Sequence, residues 1–77
     1  MTMNYLNSER SKMPKREAMF TLADLQRVEI RENARYAWES GYNVTVLAPE
    51  ITEIDRVSAE YWLINHGVIY TELRIGG

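Results

Sequence analysis

The apolar positions of this chain switch period along its length. From Leu22 to Ser40 there is no glycine or proline, and apolar residues return every three or four positions, which predicts a helix. Thr21 stands before it as an N-cap, with Asp24 three residues on in a weaker form of the capping box. Gly41 follows as the left-handed residue that ends many helices. At about 100° per residue, Leu22, Ala23, Ile30, Ala34, Ala37 and Trp38 share one broad face. Leu25, Val28 and Tyr36 fall elsewhere, so this helix is expected to need a second partner beyond its own core.

At Tyr42 the period becomes two. Tyr42, Val44, Val46 and Ala48 alternate with Asn43, Thr45 and Leu47 in a β-branched run that Pro49 closes, which predicts a strand. Thr52 and Asp55 repeat the cap pattern ahead of a second helix, Glu53 to Asn65. Its apolar stripe reads Ile54, Val57, Tyr61 and Ile64, at spacings of three, four and three, and is expected to be the buried face. Gly67 ends this helix, and Val68 to Ile75 alternates again as a second strand.

The predicted order is helix, strand, helix, strand. A strand, a crossover helix and a second strand make a βαβ unit, with parallel strands and a right-handed crossover. The expected fold class is therefore a small α/β domain, with α+β as the alternative. Two strands alone are marginal in water. The sheet is expected to be completed by dimerisation or by a strand from the N-terminal segment, where Met1, Met3 and Tyr5 alternate.

Charge divides the chain. Residues 1–18 carry Arg10, Lys12, Lys15 and Arg16 against Glu9 and Glu17, a net of +2. Residues 19–77 carry five arginines against nine acids, a net of −4. The expected organisation is a flexible basic tail, 1–18, and one acidic domain, 19–77. The N-terminus shows no signal-peptide core, and no apolar run approaches the ~18 residues of a membrane span, so a cytoplasmic chain with no membrane contact is expected.

Candidate chemistry is sparse. There is no cysteine and one histidine, His66, so disulfides, thiolate sites and histidine-rich metal sites are excluded. No serine or threonine stands at a telling spacing from His66, and no glycine-rich phosphate loop is present. Glu50, Glu53 and Asp55 cluster at the start of the second helix, where negative charge complements its dipole. No catalytic residue, metal or cofactor is expected.

Three binding features remain. Arg27, Arg31 and Arg35 repeat every fourth residue as a ridge that would suit nucleic acid, although Asp24, Glu32 and Glu39 stand at ion-pairing offsets. Two Trp and five Tyr are many for 77 residues, and such side chains anchor interfaces. Trp62 is the first interface candidate, at the edge of the expected buried stripe, followed by Trp38, Tyr36 and Tyr61. Finally, Glu72-Leu73-Arg74-Ile75-Gly76-Gly77 runs a strand into a di-glycine and resembles the tails of ubiquitin-like modifiers and sulfur-carrier proteins. That resemblance implies a β-grasp fold with Gly76 and Gly77 as a carrier tail for an activating enzyme.

The leading expectation is a non-enzymatic adaptor or inhibitor, a homodimer that binds another protein. Short chains of this composition are frequent on phages and other mobile elements, where they blunt a host or defence enzyme. The alternatives are a nucleic-acid-binding regulator and the di-glycine carrier.

Overall fold

A computed structural model describes residues 16–76, and the first of them depart from the expected tail. Glu17–Thr21 is a strand, β1, so the ordered domain starts inside the segment assigned to the tail. Residues 1–15 of that segment, with Met1, Met3 and Tyr5, lie outside the described residues. After β1 come a short 3₁₀ turn at Asp24–Gln26, helix α1 (Val28–Glu39) and strand β2 (Asn43–Ala48). A second 3₁₀ turn at Glu53–Asp55 leads into helix α2 (Arg56–Asn65), and strand β3 (Glu72–Ile75) closes the fold.

The α/β class and the βαβ unit hold, and the unit is doubled. The three strands lie in the order β1-β2-β3, with both pairs parallel. The chain therefore supplies its own third strand, and the strand count no longer calls for a second copy. An all-parallel sheet also differs from the β-grasp arrangement, which opens on an antiparallel hairpin.

The register shows which residues face the helices. Ala18 lies beside Val44, Phe20 beside Val46 and Val46 beside Leu73, and this side carries the core. Ala34 of α1 and Ala59 and Leu63 of α2 join the same cluster, so both helices cover one face. This follows from two right-handed crossovers that step in the same direction. The small alanines let each helix axis approach the β-branched surface. The opposite face presents Met19, Thr45 and Glu72 in one row and Thr21, Leu47 and Arg74 in the next.

The expected first helix is broken. Thr21 Oγ1 accepts a hydrogen bond from the Asp24 N–H at 3.0 Å, but the N-cap of the 3₁₀ turn is Ala23 and that of the helix is Arg27. Arg27 is then extended, with ψ 138°, and α1 starts only at Val28. The break swings Leu25 into the core, where it is fully buried. Leu25 had fallen off the helical face because the segment that holds it does not have a helical period.

Both glycine stops are present. Gly41 has φ +91° and Gly67 has φ +73°. Behind them the Tyr42 N–H reaches the Ala37 carbonyl at 3.0 Å, and the Val68 N–H reaches the Leu63 carbonyl at 2.9 Å, satisfying the last turn of each helix. The second strand is shorter than expected. Val68 to Thr71 is irregular, and Thr71 brackets β2 by donating its N–H to the Val44 carbonyl (2.7 Å) and accepting the Val44 N–H on Oγ1 (3.2 Å).

Candidate functional site

Helix α2 is apolar on two sides, and the structure turns the unexpected side inward. Ala59 and Leu63 are buried. The expected buried stripe is the exposed one: Ile54 is 91% exposed, Val57 58%, Tyr61 63% and Ile64 63%. On the wheel Val57 and Ile64 lie about 40° and 60° from Tyr61, both on the same side of it, while Leu63 is about 160° away. Val57, Glu60, Tyr61 and Ile64 line a shallow surface groove. Ile54 stands one turn earlier, in the 3₁₀ segment.

Which flank of the fold this is follows from Trp62. Its ring is half-buried against the core and points toward α1. The His66 ring stacks on it with centroids 3.9 Å apart and planes 20° from parallel, and the Arg31 guanidinium of α1 lies 5.8 Å from its centroid. His66 Nδ1–H donates to the Trp62 carbonyl at 2.8 Å, which fixes the stack. Tyr61, Val57 and Ile64 therefore face away from α1, beyond the outer edge of the sheet. In a longer parallel sheet that is where the next helix would lie.

The electrostatics of this flank are acidic. Glu60 lines the groove and has no ion pair among the described residues. Tyr70 lies near it, and its phenol is held above the usual range by burial first and by the Glu60 charge second. Glu50, Glu53 and Asp55 stand at the head of α2. Arg56 is the one cation here among the described residues, and it is engaged twice. It pairs with Glu53, a hydrogen bond that holds the Glu53 carboxyl below the usual range, and its Nη1 donates to the Leu73 carbonyl at 3.4 Å.

The four interface candidates do not form one patch. Tyr61 alone sits among exposed apolar neighbours. Trp62 is on the other flank of the same helix, covered by His66 and Arg31. Tyr36 is 74% exposed on the outer side of α1 among acids, and Trp38 lines a small hollow with Gly41, Tyr42 and Asn43. Ile54, Val57 and Ile64, read from sequence as core, are the residues that join Tyr61. The signal for them was the 3-4-3 spacing itself, read with the wrong side inward.

The arginine ridge is also dispersed. Arg27 is off the helix and lies 3.7 Å from Asp24, and Arg35 pairs with Glu39 at 3.2 Å. Arg31 donates to the carbonyls of Leu25 (2.9 Å) and Gln26 (3.0 Å), which ties the 3₁₀ turn to α1. Its role is structural, and Arg31→Met should cost on the order of 1–2 kcal/mol, because charged donors to partly buried carbonyls are lost. For a domain of this size that is a fall in melting temperature of roughly 4–15 °C by circular dichroism. An unchanged melting temperature would return Arg31 to the pool of free surface cations.

At the carboxyl ends of the strands, Gly76 is tied down. Its N–H donates to the Ala48 carbonyl at 3.0 Å, and a Cβ there would fall within the Pro49 carbonyl group. Gly77 lies outside the described residues. Among the described residues there is no cluster of three metal-ligating side chains and no helix long and apolar enough to cross a membrane. No protein-family model, curated protein or solved structure matches this chain.

Proposed function

We propose that the protein is a non-catalytic binding module, an adaptor or inhibitor that docks on another protein through the outer flank of α2. The observation that carries this reading is the exposed row Ile54, Val57, Tyr61 and Ile64. Four large apolar side chains at helical spacing, with an aromatic at the centre, have the composition of an interface core. Scattered surface apolars need no account, but a contiguous row beside a polar rim does. The arginines offered for nucleic acid are engaged with acids and carbonyls within the chain, which favours a protein partner over a phosphate backbone.

The double substitution Val57→Ser with Ile64→Ser tests the reading. It removes apolar surface that is already in water, so melting should shift by no more than a degree or two. A tagged wild-type chain expressed in its source cells should retain a protein that the double variant loses and a Tyr36→Ser control keeps. If wild type and double variant retain the same set of proteins, the α2 flank is not the docking surface.

A further inference from the structure

The flank also indicates what would cover it, an inference that rests on the docking role of α2. Three observations converge. First, Val57, Tyr61 and Ile64 follow a 4-3 spacing along α2, with Ile54 one turn before them, and such a ridge packs into the groove of a second helix. Second, among the described residues nothing fills the next place in the layer of helices on this flank, opposite to the side where Trp62 meets α1. Third, its charge is mostly acidic: Glu60 lies in the groove without an ion pair among the described residues, Glu50, Glu53 and Asp55 stand at the head of α2, and Arg56, one turn before Glu60, is held by Glu53 and the Leu73 carbonyl.

A second copy of α2 would bring Glu60 toward the same acidic flank of its mate, and like charges oppose such a pairing. A helix with lysine or arginine beside its apolar seam would meet complementary charge. We propose that the outer flank of α2 receives a basic amphipathic helix of a partner protein, seated on Val57, Tyr61 and Ile64 with its cations toward Glu60. This is the helix-in-groove mode of recognition, with the folded domain supplying an acidic platform.

The probes are two synthetic amphipathic helices with one leucine seam, flanked in one by lysine and in the other by glutamate. Each is titrated calorimetrically into the full chain at low and at physiological salt. The lysine helix should bind on the order of tenfold or more tightly than the glutamate helix, and the gap should narrow as salt rises. Glu60→Lys should reverse the preference, and Glu60→Gln should reduce it, each with melting checked. Val57→Ser with Ile64→Ser should abolish binding of the lysine helix, whereas Tyr36→Ser should not. Equal binding of both helices, lost in the double variant, overturns the basic occupant and leaves the docking flank standing. Binding of neither helix overturns the occupant too. Binding indifferent to the double variant overturns the flank itself.

Discussion

Leu63→Ala should come close to unfolding the protein, while Ile64→Ala, one residue on, should leave it intact. Leu63 is fully buried where α2 meets the sheet, in contact with the cluster that includes Val46, Leu73 and Ala59. Truncating such a leucine removes its transfer energy and leaves a cavity, roughly 2–5 kcal/mol in total. A domain of this length holds only about 4–11 kcal/mol of stability, so the loss is a large fraction of it. Ile64 is mostly in water already, and its truncation should stay within about 0.5 kcal/mol. Urea denaturation of the two variants measures both. A comparable loss at Ile64 would show that the α2 stripe is core after all, and the docking flank would fall with it.

The second large effect is expected at Gly76. Substituting alanine places a methyl group inside the Pro49 carbonyl, and backbone cannot yield as a side-chain tip can. The strand end must move off β2, breaking the hydrogen bond to Ala48. Overpacking of this kind costs roughly 1–3 kcal/mol. Amide exchange should show the Gly76 N–H losing protection in the variant while the β1–β2 ladder keeps its own. If Gly76→Ala were neutral, the terminal segment would not be packed against Pro49. A carrier tail would then regain ground, since it must enter an enzyme as a free strand.

Much of this fold was legible in the sequence, and the misreadings have physical causes. β2 and both glycine stops could be read because a β-branched alternation and a left-handed turn have few alternatives. β1 was missed although Ala18 and Phe20 alternate toward the core. Five residues with only two inward apolar positions, behind a polar run, make a faint pattern, and its partner β2 lies more than twenty residues away. Leu25 was misplaced because one extended residue, Arg27, resets the helical phase.

Helix α2 is the most instructive case. Val57, Tyr61 and Ile64 lie on one side and Ala59 and Leu63 on the other. Periodicity reports that a face is apolar, not that it is inward. The sheet resolves the choice: Val46, Ala48 and Leu73 form a close-packed floor, and a helix lies flattest on it through an alanine. The bulkier Tyr61 side would hold the axis further out. Tyr61 was legible as a binding residue because it is aromatic, whereas Val57 and Ile64 looked like core until the sheet claimed the other side.

The bond from Arg56 to the Leu73 carbonyl has a consequence for how copies of this chain can accumulate. A β3 strand in the sequence register seen here turns the Leu73 carbonyl away from β2, so it would be a first rung for any strand added at that edge. With a guanidinium already there, one outward carbonyl of that margin is engaged by the molecule's own side chain. Fibre growth by edge addition needs a unit that is open at both margins, because every arrival must offer a new end. Weaker pairing at one margin works against such growth. Arg56 thus takes one outward rung of β3 away from an added strand, close to the exposed flank of α2.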